Sequence, residues 1–218
     1  MRKYYLWQIS CVPKASYVLA VAIAIATLVP VSLAFTPLGQ IGGRQVLGTY
    51  DNSESSIVDA MGDAQAVYQK NGTVSIPEVK DYHDIIGASV AKRGEAFLFT
   101  IDLAGDPNRN QEYETIYRWH IITAEIANSE RLYTLMFPNF GSGSNSTAKG
   151  WYFAVFDNTN NMFIKQPISI MDMPKDRIEF SVEDSYIGKP TKFAYWVDVS
   201  VRLNNTLGEP DYLMDYAP

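Results

Sequence analysis

Residues 85–103 read IIGASVAKRGEAFLFTIDL, and this stretch decides the fold. In its second half, four large apolar side chains fall at every other position and so share one face: Phe97, Phe99, Ile101 and Leu103. A period of two is typical of a strand that is buried on one side. The intervening Lys92-Arg93-Gly94-Glu95 is typical of a tight turn. The stretch therefore predicts an antiparallel β-hairpin.

Strand-like runs of the same kind continue towards the C-terminus. They are Thr115–Ala124, Arg131–Phe137, Trp151–Phe156, Met162–Lys165, Arg177–Val182 and Lys192–Leu203. Only Glu183–Ile187 has the pattern of a helical turn. About eight or nine short strands separated by turns predict an all-β fold, an antiparallel β-sandwich.

The first 35 residues have a different character. An uncharged run, Ala15–Phe35, follows three basic residues and no acidic one. This order is typical of an export signal, which places the rest of the chain outside the cytoplasm. Pro30 and the small residues before Phe35 favour a cleaved signal peptide. The alternative is an N-terminal hydrophobic helix that stays in the membrane as an anchor, because the run is about as long as a membrane-spanning helix.

The composition of the remaining chain limits its function. We interpret residues 36–60, which are rich in glycine, as a linker and residues 61–218 as the β-sandwich domain. The net charge of -6 argues against nucleic-acid binding, because an acidic surface repels phosphates. The single cysteine, Cys11, lies in the leader, so no disulfide is expected in the exported domain.

Several short motifs between Gly62 and the C-terminus together suggest a family resemblance. They are Gly62-Asp63-Ala64, Asp84–Val90, the strand Phe97–Ile101, Trp119, Tyr186-Ile187-Gly188, Trp196 and Asp215–Pro218. Together they resemble the exported β-sandwich modules related to family 9 carbohydrate-binding modules and the DOMON-like group. The resemblance implies a sandwich that binds a sugar or haem, with structural calcium in some members and no known ligand in many.

Aspartates are frequent in the loops that the strand pattern places at the two ends of the sandwich. Calcium takes about six to eight oxygen ligands, which carboxylates and loop carbonyls supply without special spacing. Asp84 precedes the hairpin and Asp215 follows the last predicted strand, so the two meet if the terminal strands are neighbours. We therefore predict a structural calcium site at Asp63, Asp84 and Asp215. The alternative is that these aspartates only cap turns.

The strand Lys192–Leu203 carries a candidate ligand platform. Its apolar face includes Tyr195 and Val197, so Trp196 points to the opposite face together with Asp198 and Arg202. Sugars stack on aromatic rings while polar side chains fix their hydroxyl groups. Trp196, Asp198 and Arg202 are therefore the predicted carbohydrate-binding residues. The alternative is that Trp196 belongs to the core.

Other chemistry has weaker support in the sequence. An axial histidine and methionine would be needed for haem, but His120 lies in a strand and His83 in a polar turn, so no haem is expected. The exported part has no cysteine and no Gly-x-Ser-x-Gly motif, so a non-catalytic role is predicted. Asn145 begins an Asn-Ser-Thr sequon and is a candidate glycosylation acceptor, or a chance match in a turn.

These observations predict an exported or membrane-anchored binding module, most consistent with a carbohydrate or cell-envelope ligand. The alternative is an accessory subunit of a membrane or surface-protein assembly, held by its N-terminal helix. The expected partners are the membrane, if the leader is retained, and a glycan or surface protein. The expected location is the outer side of the cytoplasmic membrane, either secreted or anchored.

Overall fold

The computed structural model describes residues 48–68, 78–124, 130–142, 149–203 and 212–217. Within these ranges the chain is all-β, with three short 3₁₀ turns at Asp81–His83, Pro107–Arg109 and Asp184–Ile187. The described strands are β1 (Gly48–Asp51), β2 (Ser55–Val58), β3 (Val67–Tyr68), β4 (Ile85–Arg93), β5 (Ala96–Leu103), β6 (Glu114–Ala124), β7 (Glu130–Phe140), β8 (Gly150–Asp157), β9 (Met162–Ser169), β10 (Arg177–Glu183), β11 (Lys192–Arg202) and β12 (Tyr212–Ala217).

The strands form two antiparallel sheets. The larger, here called the large sheet, has the order β3-β12-β11-β6-β7-β8-β9, with β1 also paired to β11. The second, the small sheet, has the order β10-β5-β4-β2. On one side of β11, residues 192–195 pair with β1 and residues 197–201 pair with β12. Trp196 therefore lies where the neighbouring strand changes.

One hydrophobic core lies between the two sheets. Phe99 of the small sheet packs edge-on against Trp119 of the large sheet, with ring centroids 4.9 Å apart. Phe180 and Phe153 make a second contact between the sheets at 4.2 Å. Burying an aromatic or aliphatic side chain of this size stabilises a fold by roughly 1.5–3 kcal/mol. The two sheets thus pack face to face, in a sandwich-like arrangement.

The local strand predictions are largely confirmed. β4 and β5 form the predicted hairpin, and Gly94 in its turn has a φ of 61°, a conformation that favours glycine. The predicted apolar faces of β5 and β11 are buried, and the helical turn lies at Asp184–Ile187. All pairings between described strands are antiparallel, as predicted for an all-β protein.

The extent of the sheets differs from the prediction. The described ranges contain twelve strands, where about eight or nine were predicted. β1 and β2 lie within residues 36–60, which were interpreted as a linker, and they pair with β11 and β4. The linker interpretation is wrong for these residues, because the folded part reaches back at least to Gly48. Asp215, expected after the last strand, lies within β12.

The predicted leader, residues 1–35, lies outside the described residues, and so does Asn145. Across the ranges that are described, no helix has the length and apolar character needed to cross a membrane.

Candidate functional site

An acidic cluster forms where the two sheets meet at one end. Asp59 directly follows β2, Asp63 lies in the loop between β2 and β3, and Asp215 is in β12. Each of the three can offer one carboxylate oxygen such that all these oxygens lie within 4.8 Å of one another. Asp63 is exposed, whereas Asp59 and Asp215 are half-buried. The cluster therefore combines groups from the small sheet, a loop and the large sheet.

Asp84 lies against this cluster and is more deeply buried. It ends the 3₁₀ turn before β4, and only 5% of the residue is exposed. Its Oδ2 accepts a hydrogen bond of 2.7 Å from the N–H of Gly62, the residue before Asp63. Its Oδ1 is buried and has no hydrogen-bond partner among the described residues.

Backbone groups hold the acidic side chains in place. Asp215 Oδ2 accepts a hydrogen bond from the N–H of Ile85 at 2.6 Å, and its Oδ1 accepts one from Tyr216. The first of these bonds joins β12 of the large sheet to the start of β4 in the small sheet. Asp59 Oδ1 accepts from Ala60, while its Oδ2 is buried and has no hydrogen-bond partner in the described part of the chain.

Burial and mutual repulsion make it unfavourable for all the carboxylates of the cluster to be ionised at once. The pKa of Asp215 is raised to about 7, mainly by burial and further by the negative charges of Asp59 and Asp63. The hydrogen bonds from two backbone N–H groups lower this pKa but do not offset the increase. The pKa of Asp59 is raised mainly by burial and further by the charges of Asp63 and Asp84. Within the described ranges, none of these four aspartates forms an ion pair with a lysine or arginine.

The fold therefore brings together the aspartates that the sequence analysis predicted as calcium ligands. Asp63 and Asp215 are members of the cluster, and Asp84 adjoins it. Asp59 was absent from the predicted ligand set, because its place in the cluster depends on the pairing of β2 with β4. Asp81, another aspartate before β4, instead lies against Gly105. A Cβ added to Gly105 would lie 2.3 Å from the carboxyl carbon of Asp81.

The predicted platform at Trp196 lies on the outer face of the large sheet. Trp196 is half-buried, and its ring stacks on His120 of β6 with centroids 4.6 Å apart and planes 8° from parallel. His120 is fixed on both sides: Nε2 lies 2.7 Å from Asp198 Oδ2, and Nδ1 lies 3.2 Å from Thr134 Oγ1. The indole therefore rests on a ring whose position is set by hydrogen bonds.

Asp198 is a structural partner and not the exposed contact that was predicted. It is 6% exposed, and its Oδ1 accepts a 2.6 Å hydrogen bond from Arg118 Nε. Burial alone would raise the pKa of Asp198, but the charge of Arg118 and the hydrogen bonds from Arg118 and His120 hold it below its usual value. Arg118 also donates to Ser200. Asp198 is therefore buried, whereas the sequence predicted an exposed side chain.

Arg202 is also buried. Its residue exposure is 3%, and its Nη1 lies 2.7 Å from Glu114 Oε2, a carboxylate with no exposed surface. Burial raises the pKa of Glu114, against the charges of Arg202 and Arg118. The prediction missed both ion pairs because the partners, Arg118 and Glu114, lie on β6 opposite Asp198 and Arg202. Of the three predicted carbohydrate-binding residues, Asp198 and Arg202 are buried and Trp196 is half-buried.

Thr134, His120 and Asp198 have the order of a nucleophile, a base and an acid. However, Thr134 is 5% exposed, and its Oγ1 already accepts a hydrogen bond of 2.8 Å from Asn158. A hydroxyl group must reach its substrate to attack it, so this arrangement is better suited to holding His120 than to catalysis.

The other histidine, His83, is buried and also engaged in local structure. His83 has no exposed surface, its Nδ1 accepts from the N–H of Lys80 at 3.2 Å, and its Nε2 lies 3.7 Å from Glu112 Oε2. Tyr82 donates to the same Glu112 oxygen at 2.7 Å. These contacts tie the 3₁₀ turn before β4 to the loop that precedes β6.

Comparison with known proteins gave no match to a protein-family model, a curated protein or a solved structure.

Proposed function

We propose that this chain is an exported, non-catalytic binding module, and that a ligand of carbohydrate type contacts it at Trp196. The observation that carries the proposal is the Trp196–His120 stack on the outer face of the large sheet. A flat aromatic surface held in a fixed orientation suits the apolar face of a sugar ring, because little conformational entropy is lost on binding.

The network beneath the stack supports this role. Asn158, Thr134, His120, Asp198 and Arg118 form a continuous series of hydrogen bonds across three strands and the turn after β8. Such a network restricts the position of the ring that Trp196 rests on. The buried Asp198 accordingly acts as a positioning residue for His120, and Trp196 supplies the contact.

A second candidate function, an accessory subunit of a surface assembly, is favoured by the edge of the large sheet. Strand β9 ends the sheet order, and three of its apolar side chains are exposed by 39–52%: Met162, Ile164 and Ile168. An edge strand with exposed apolar side chains is suited to pairing with another protein chain. In this version the N-terminal helix anchors the chain in the membrane.

A glycan array probed with the full-length chain tests the first proposal. The expected result is binding to a restricted set of oligosaccharides, with loss of most binding in Trp196→Ala and partial retention in Trp196→Phe, which keeps a ring for stacking. Ile164→Ser serves as the matched surface control and should bind like the unchanged protein. Absence of any glycan binding, or binding that Trp196→Ala leaves intact, would overturn the proposal.

Crosslinking in the native host distinguishes the two candidates. If the chain is an accessory subunit, Ile164→Ser should remove crosslinks to a membrane or surface protein, whereas Trp196→Ala should leave them unchanged.

A further inference from the structure

Three aspartates from separate segments meet at one end of the molecule with a fourth, Asp84, beside them, and no lysine or arginine of the described residues forms an ion pair with any of the four. Asp59, Asp63 and Asp215 can place carboxylate oxygens within 4.8 Å of one another. Two carboxylates at this distance repel each other weakly in water, but their repulsion is stronger where they are partly buried. A cluster of this kind is common on protein surfaces and is not by itself a binding site.

A second observation, independent of the cluster itself, is that Asp84 has a buried carboxylate oxygen without a hydrogen-bond partner among the described residues. This residue is 5% exposed, and its Oδ1 is buried without a hydrogen-bond partner among the residues described. Leaving a buried carboxylate oxygen without a partner is unfavourable, and such atoms are rare in folded proteins. The other oxygen of the same carboxylate accepts from Gly62, directly before Asp63. The unpartnered oxygen thus belongs to the side chain that adjoins the cluster.

Asp59 adds a second atom of the same kind. Its Oδ2 is buried without a hydrogen-bond partner in the described ranges, although the residue as a whole is half-buried. Two buried oxygens that lack donors, beside two further carboxylates, form a set of acceptors. A metal cation is the group that satisfies several oxygen acceptors at one point.

We propose that Asp59, Asp63 and Asp215 bind one divalent cation directly, that the adjoining Asp84 contacts it through a bound water, and that the cation is calcium. The donor set consists of oxygen atoms, which hard cations prefer, whereas zinc favours nitrogen and sulfur. Calcium tolerates irregular arrangements of carboxylates, while magnesium requires near-octahedral geometry and retains several waters. Ligands drawn from separate segments are therefore better matched to calcium.

The bound ion joins parts of the fold that are distant in sequence. Asp215 belongs to β12 of the large sheet, Asp84 precedes β4 of the small sheet, and Asp59 and Asp63 follow β2. The hydrogen bond from Ile85 to Asp215 already links the two sheets at this point. Calcium therefore stabilises the end of the molecule where β12 packs against the small sheet, and its role is structural. This inference is independent of the ligand contact at Trp196.

The test is thermal unfolding of the full-length chain, purified in mild detergent because of its apolar leader, in calcium chloride and in the chelator EGTA. A ligand at about 100 times its dissociation constant should raise the melting temperature by roughly 5–10 °C for a domain of this size. Asp63→Asn should lose most of this shift, and because Asp63 is exposed the variant should still fold. Asp84→Asn should lose the shift as well.

Asp172→Asn is the matched control, because it removes one exposed aspartate outside the cluster and should respond to calcium like the unchanged protein. Magnesium chloride at the same concentration should give a smaller shift. Identical melting in calcium and EGTA would overturn the proposal, as would a calcium shift that survives in Asp63→Asn. An equal shift with magnesium would overturn the assignment to calcium.

Discussion

Replacement of Asp198 by alanine should strongly destabilise the protein, because it breaks a buried ion pair and leaves a buried cation. Asp198 and Arg118 are 6% and 8% exposed, and the bond between Oδ1 and Nε is 2.6 Å. Removing one partner of such a pair costs about 3–5 kcal/mol, since the remaining charge stays out of water. For a domain of this size this corresponds to a melting temperature lower by roughly 10 °C.

The matched control is Asp102→Ala at the surface. Asp102 pairs with Arg177 at 3.7 Å, and both side chains are about 40% exposed, at 39% and 42%. Exposed pairs contribute about 0–1 kcal/mol, so this variant should unfold within about 3 °C of the unchanged protein. Both variants are compared by circular dichroism during heating, in the same buffer and at the same protein concentration.

A double variant tests the mechanism of the loss. Asp198→Leu combined with Arg118→Met removes both charges and should recover much of the stability lost in Asp198→Ala, because no unpaired charge remains buried. If Asp198→Ala melts within about 3 °C of the unchanged protein, as Asp102→Ala should, the reasoning is refuted.

Three further predictions concern the same fold. Because the pKa of Asp198 is held below its usual value of 3.8, its contribution to stability is present above that pH and is lost as the pH falls through the folded-state pKa. An acid titration followed by circular dichroism should therefore show an unfolding step below about pH 4 that is weaker in Asp198→Asn. Trp119→Ala removes a side chain that is 1% exposed, which should lower the free energy of unfolding measured in urea by about 3–5 kcal/mol. In Gly141→Ala the new Cβ would lie 2.5 Å from the carbonyl oxygen of Asn110, and the backbone must shift, so a loss of about 1–3 kcal/mol is expected in the same urea assay.

The fold could be predicted where the signal is local. The alternation in β5 and β11 lies within single strands of eight and eleven residues, so each strand could be recognised without knowledge of its neighbours. β1, β2 and β3 span only two to four residues, too few for a period of two to stand out. They are strands because β11, β12 and β4 offer them pairing partners, which the local sequence does not reveal.

The same distinction explains the outcome at the two candidate sites. The alternation in β11 correctly placed Asp198 and Arg202 on the face opposite Tyr195. Their burial depends on the register with β6, which sets Arg118 opposite Asp198 and Glu114 opposite Arg202. Register between strands is a tertiary property, so the ion pairs could not be read from either strand alone.

The acidic cluster was easier to anticipate because it required only that the ends of the chain's strands meet. Asp84 and Asp215 were expected to meet if the terminal strands were neighbours, and Asp215 accepts a hydrogen bond from Ile85, the residue directly after Asp84. Asp59 could not be chosen over other loop aspartates from the sequence, because its selection depends on the pairing of β2 with β4.

Long-wavelength X-ray diffraction from crystals grown in millimolar calcium would test the central claim, the cation site, most directly. We predict one anomalous peak between the carboxylates of Asp59, Asp63 and Asp215 and beside Asp84, with oxygen atoms at about 2.3–2.6 Å from it. The unpartnered Oδ1 of Asp84 should contact the ion through a bound water. A map with no peak at these four carboxylates, in crystals that contain calcium, would contradict the account.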